Sequence, residues 1–198
     1  RILSEGGDSR RALTLLAAAL RARPDPAHAA RLRVEAGGAL LRAGRALRSV
    51  AVLRRMLDRD AHGALHPDVR AAALAQLGRA LIELGEHAEA ERCATQSLAL
   101  ADPAGEASTL ADEVLGVARV YLGRSEQAAE ALALAWRRSA DRAPRPRLRV
   151  LSFLAIADYR RGALGAARER HVEALALAER HAMMDVLATT ALNLATVD

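Results

Sequence analysis

Five glycines, Gly7, Gly44, Gly85, Gly123 and Gly162, recur at intervals of 37, 41, 38 and 39 residues. Each is followed five residues later by a small side chain: Ala12, Ser49, Ala90, Ala128 and Ala167. A period of this size is that of stacked helical repeats, in which no single unit can bury its apolar face alone. The chain is therefore constrained to an array of similar helical hairpins whose core forms between neighbours. Such an array offers surface more readily than a catalytic cleft, which points to an interaction module.

Composition agrees with that constraint. Hydrophobic residues make up 52% of the 198 and aromatics only 2%, so alanine and leucine must build the core. Small side chains let helix backbones approach closely, as helix-on-helix packing requires. So few aromatics suit base stacking poorly. All 29 basic residues are arginine, a bias that GC-rich coding explains better than a phosphate-binding surface, since a nucleic-acid footprint needs clustered charge. The net charge of +5 is blocked: +7 over residues 1–60, −6 over 61–118 and +4 over 119–198. An acidic middle between basic neighbours either helps adjacent repeats to dock or is a solvated face.

Cys93 is the only cysteine, so no disulfide can form within the chain. No uncharged apolar run approaches the ~18 residues of a membrane span. The N-terminal Arg-Ile-Leu-Ser-Glu-Gly-Gly resembles no signal peptide, which leaves a cytoplasmic location as the default.

The punctuation follows the period. The six prolines, Pro24, Pro26, Pro67, Pro103, Pro144 and Pro146, are expected in the gaps between units, where they interrupt no helix. Within each unit the glycine marks the turn between two helices, because a left-handed residue can end the first one. The clearest unit has Leu74, Leu77, Leu81 and Leu84 on one face of a helix over 68–84, a turn at Gly85, and a second helix over 88–101. The units expected are a half over 1–29, whole ones over 30–70, 71–108, 109–147 and 148–187, and a half over 188–198. Both ends fall mid-unit without a polar cap, so the expectation is a piece of a longer polypeptide.

These residues resemble tetratricopeptide repeats. That family's helix–turn–helix unit of about 34 residues carries leucine-glycine in its first helix and small residues in its second. Leu77-Gly78 and Leu115-Gly116 each precede a turn glycine by seven residues, and Gly37 precedes Gly44 by the same seven. Leu154-Ala155 and Leu194-Ala195 replace the pair in the last units. The small second-helix position is Ala19, Ser97, Ala135 and Ala174, with Met56 as an exception, and His171 stands where the family is apolar. The longer period is similar to repeats attached to large bacterial signalling proteins. The resemblance implies an all-α, right-handed α-α superhelix of four whole units and a half unit at each end, with a concave groove lined by the first helices.

Carried over residue by residue, the resemblance places Arg31, Val34 and Leu41 in that groove, followed by Ala72, Ala75, Arg79 and Ile82. Leu110, Glu113, Val117, Val120 and Tyr121 come next, then Arg149, Ser152, Ile156, Tyr159 and Arg160. An apolar trough with arginines and two tyrosines suits a protein or peptide partner carrying a leucine-like anchor and an acidic flank. Arg79, Tyr121, Tyr159 and Arg160 are the expected anchors. The plainer alternative is that many of these positions are inter-helix packing. The family's carboxylate-gripping version needs Lys and Asn at Val34, Ala75, Glu113 and Ser152, so that function is not expected.

Other features argue against chemistry. Arg137, Arg138, Arg142, Arg145, Arg147 and Arg149 form the densest basic run, read as a connector around Pro144 and Pro146. Without interleaved aromatics it is a weak nucleic-acid signal. His62 and His66 lack further ligands for a metal. Cys93 is expected to act as a small hydrophobe. With no phosphate loop or nucleophile motif, neither catalytic residue nor cofactor is assigned. The expected function is a non-catalytic protein–protein interaction module, the regulatory or scaffold segment of a larger bacterial signalling protein. The alternatives are a substrate-recruiting accessory region of a kinase or NTPase and a basic, nucleic-acid-associated segment. No membrane partner is expected, and oligomeric state carries no signal.

Overall fold

Four of the five periodic glycines turn the chain as their spacing predicts. Gly44, Gly85, Gly123 and Gly162 have φ of 71°, 80°, 76° and 80°, the left-handed region that side chains with a Cβ avoid. At Gly85 the N–H of the glycine donates to the Ile82 carbonyl and the Glu86 N–H donates to the Leu81 carbonyl, both at 3.0 Å. This paired closure satisfies carbonyls that the helix end would otherwise orphan. The small residue five positions later is fully buried in every case, at Ser49, Ala90, Ala128 and Ala167.

The computed structural model describes residues 2–60, 63–140 and 142–195, which hold ten α-helices and no strand. The helices are α1 (Ile2–Arg21), α2 (Pro26–Arg42), α3 (Ala46–Asp58), α4 (Pro67–Ile82) and α5 (His87–Leu100). They continue with α6 (Glu106–Tyr121), α7 (Ser125–Arg138), α8 (Pro144–Arg160), α9 (Leu164–Arg180) and α10 (Met184–Ala195). The whole hairpins are α2–α3, α4–α5, α6–α7 and α8–α9. The all-α repeat architecture read from the sequence is therefore present.

Two local expectations are corrected. Gly6 and Gly7 do not form a turn but lie inside α1. The backbone stays helical although each glycine costs about 1 kcal/mol relative to alanine. Nor are all prolines in the gaps. Pro26, Pro67 and Pro144 open α2, α4 and α8, and Pro146 sits in the first turn of α8. The first helical position needs no N–H, and a fixed φ is already helical there. Each first helix thus begins three or four residues before the expected unit boundary.

The chain divides into two units, Arg1–Ala111 and Asp112–Asp198, with the division inside α6. In the first, each helix from α1 to α5 packs on its neighbour and α2 also lies against α4, the next-but-one contact of stacked hairpins. Ser49 and Ser97 knit them internally, each hydroxyl donating at 2.8 Å, to the carbonyls of Gly37 and Ala71. In the second, α7 packs on α8, α8 on α9 and α9 on α10. Its core gathers Leu148, Leu151, Ala174, Leu177, Ala178 and Met183, with Trp136, Val186 and Leu187 packed against them.

Glycine inside the first helices serves contact rather than turning. A Cβ on Gly37 would stand 2.8 Å from Leu53 Cγ, and one on Gly116 would stand 2.4 Å from Leu132 Cγ. Leu53 of α3 and Leu132 of α7 fill the space that Gly37 and Gly116 leave, so each glycine and the leucine facing it form a hollow and its knob.

Candidate functional site

Burial sorts the residues expected to line a groove. In the first unit Val34, Ala75, Ile82 and Leu110 are buried, Leu41, Ala72 and Arg79 are half-buried, and Arg31 is exposed. In the second unit Glu113, Val117 and Val120 are buried, while Arg149, Ser152 and Ile156 are half-buried. Arg160 is exposed, and Tyr121 and Tyr159 remain 51% and 46% exposed. A first helix packed on both sides keeps only a narrow stripe open, so the buried positions belong to helix packing. Of these residues, Arg31 in the first unit and Tyr121, Tyr159 and Arg160 in the second stay exposed.

The second unit brings several of these together. The Tyr121 ring meets Phe153 edge-on with centroids 6.0 Å apart, joining the end of α6 to α8. Arg160 Nη1 donates to the Val120 carbonyl at 2.6 Å, satisfying one of the last carbonyls of α6. Arginine at a helix C-terminus also complements the negative end of the helix dipole. The Tyr121–Phe153 edge, with half-buried Ile156 and exposed Tyr159 further along α8, is the aromatic patch of the second unit. Phe153 was not expected in it. Its signal was available, since it is the only phenylalanine in the chain and lies one residue from Ser152.

Glu113 does not offer a carboxylate to a partner. It is 1% exposed, and Arg149 Nε lies 3.0 Å from its Oε1 while Arg142 Nη1 reaches its Oε2 at 3.4 Å. Next to it, buried Asp112 receives Arg138. Burial pushes the Asp112 carboxyl above its ordinary value, and the Arg138 charge opposes that rise without cancelling it. Arg147 lies over the Trp136 ring, 4.5 Å from its centroid. The arginine run is therefore more than a solvated connector, since Arg142 alone lies between the two helices. It spans the end of α7 and the start of α8, and four of its six members are held by acids of α6 or by Trp136.

The remaining chemistry-bearing residues are structural. His62 lies outside the described residues, and His66 caps α4, its Nδ1 accepting from the Asp68 N–H at 3.4 Å. Cys93 is buried in α5, and desolvation pushes its thiol up to about 11, so it stays protonated near neutrality. His171 is 2% exposed in α9, and desolvation lowers its proton affinity.

A cavity that the sequence did not suggest opens in the first unit. It has a volume of about 1040 Å³ and lies where α2 and α4 begin and α1 and α3 end, away from the Gly44 turn. Val52, Met56 and Leu65 are among its apolar lining, and Arg31, Arg33, Arg55 and Arg59 are its cations. Arg55 and Arg59 stand four apart at the end of α3, a spacing visible in the sequence but meaningless without the cavity beside it.

No family model matches the chain, and no curated protein matches it. Solved structures do. The crystal structure of MamA superposes with a TM-score of 0.59 at 20% identity, over 89% of this chain and 92% of that one. The nearly identical TPR-like repeats of a Podosopora anserina kinesin light chain superpose with a TM-score of 0.59 at 21% identity, over 91% and 96%. At such identities the likeness is one of fold, and the fold of this chain is that of tetratricopeptide-type helical repeats.

Proposed function

We propose that this chain is a non-catalytic protein–protein interaction module, acting as the regulatory or scaffold segment of a cytoplasmic bacterial signalling protein. The observation that carries this reading is the exposed aromatic patch on the second unit. The chain has four aromatic residues, and two of them, Tyr121 and Tyr159, stay about half exposed. Tyrosine supplies large apolar contact with a polar tip at little entropic cost, which suits it to be an interface anchor. Arg160 beside them supplies a cation for an acidic flank on the partner. The basic run adds no support for nucleic acid as the partner, because Arg138, Arg142 and Arg149 are matched to acids within the chain.

The test is quantitative affinity capture from cells that express the parent protein, with the wild-type chain and the pair Tyr121→Ala/Tyr159→Ala as baits. A hot-spot pair costs roughly 2 kcal/mol or more, so a true partner is depleted at least about tenfold by the variant. Equal recovery of every captured protein on both baits would remove the patch as the binding surface.

A further inference from the structure

We infer that the cavity of the first unit is a second recognition site, which takes an acidic peptide segment bearing an apolar side chain. The inference rests on the chain being a protein-binding module but not on the tyrosine patch. The cavity is bounded by α1, α2, α3, α4 and the segment before α4, all within one unit.

Charge decides the sign of the occupant. Two acids line the cavity, and both are already engaged. Asp60 is 4% exposed and accepts from the Leu65 N–H at 2.8 Å and from Arg70. Asp25 caps α2 by accepting from the His28 N–H at 2.9 Å. Among the described residues no carboxylate pairs with Arg31, Arg33, Arg55 or Arg59. Four arginines line one opening without a carboxylate partner among the described residues, and a carboxylate-rich occupant matches them with bidentate hydrogen bonds. The contrast with the second unit is direct, because there Arg138, Arg142 and Arg149 have internal acids.

Shape decides the class. The floor of Val52, Met56 and Leu65 has room for an apolar side chain. A volume of about 1040 Å³ stands at the upper end of small-molecule sites, and the cavity is open to solvent rather than enclosed. A small anion would leave the floor uncovered, and an uncharged apolar ligand would leave the arginines unmatched. A peptide alternating apolar and acidic residues answers both.

The experiment titrates the whole chain with three short fluorescent peptides, of alternating leucine and glutamate, leucine and glutamine, or serine and glutamate. The first is expected to bind and the other two to bind at least about tenfold more weakly, since each lacks one of the two complements. Arg55→Gln/Arg59→Gln should weaken the first peptide at least about tenfold, and Arg55→Lys/Arg59→Lys should recover part of the loss. Both positions are exposed, so these variants keep the wild-type helical spectrum. Tyr121→Ala/Tyr159→Ala should leave this binding unchanged, which separates the cavity from the patch. Binding lost with the tyrosines and kept without the arginines overturns the inference and leaves the patch standing. Equal affinity for the serine peptide, or no binding of any peptide, also overturns it. So does tighter, arginine-dependent binding to phosphatidylserine vesicles, which would make a lipid surface the occupant.

Discussion

Arg149 of α8 places its Nε 3.0 Å from Oε1 of Glu113 in α6, and Glu113 is 1% exposed. Both residues were expected on a binding surface, and instead they tie two first helices of the second unit together. Arg142 approaches the same carboxylate from the segment before α8, at 3.4 Å. One buried acid thus compensates two arginines that lie seven residues apart.

Removing that acid leaves two cations facing a buried space. Glu113→Ala is expected to lower stability by about 3 kcal/mol, read from the urea midpoint at constant slope. Replacing all three by apolar residues should be far milder, because the cost arises from uncompensated charge. A loss below about 1 kcal/mol for Glu113→Ala would show that the pair is peripheral.

Gly116 and Leu132 form a hollow and its knob. Gly116→Ala would set a Cβ 2.4 Å from Leu132 Cγ and 3.2 Å from the Ala128 carbonyl. The overpacking is expected to cost about 1–3 kcal/mol, outweighing the ~1 kcal/mol that alanine gains in helix propensity. Leu132→Ala should cost less in the Gly116→Ala background than in the wild type, so the two changes are coupled in a double-mutant cycle. Strict additivity in thermal denaturation would refute the contact.

Ala182 has φ of 50° in the connection from α9 to α10, a left-handed conformation that the hairpin turns give to glycine. Its N–H donates to the Glu179 carbonyl and the Met183 N–H to the Ala178 carbonyl, the same closure as at Gly85. An alanine held left-handed costs about 1–2 kcal/mol. Ala182→Gly should therefore raise the denaturation midpoint, and Gly85→Ala should lower it by a similar amount. Space around Gly85 is open, so the penalty there is one of backbone conformation alone.

His171 is expected to make folding sensitive to mild acid. Burial lowers its proton affinity in the folded state, and its Nδ1 has no hydrogen-bond partner among the described residues. Below about pH 6.5 the unfolded chain takes up a proton that the folded chain refuses, so this group's contribution makes stability fall as pH drops through that value. The fall continues until the lowered folded value is reached. His171→Leu should remove this part of the slope when urea midpoints are compared between neutral pH and about pH 5. An unchanged slope would assign the sensitivity to other groups.

Leucine spacing, glycine period and small residues determined the helices and their pairing. Those signals are local: a left-handed glycine, an apolar stripe and a proline at a helix start each act within a turn or two of chain. Gly44, Gly85, Gly123 and Gly162 accordingly lie where the sequence places turns, while Gly7 lies within a helix. Partnerships between distant residues were not legible in the same way. Periodicity gives every first helix the same face, yet Val117 is sealed in the interior while Tyr121, four residues on, is half exposed. Only packing decides how wide the open stripe is. The arginines differ for the same reason. Arg142 and Arg149 found Glu113 across α6 and α8, whereas Arg55 and Arg59 border an open cavity with its acids already engaged. Charge is written in the sequence, but whether it is compensated depends on which side chains the tertiary structure brings within a few ångströms.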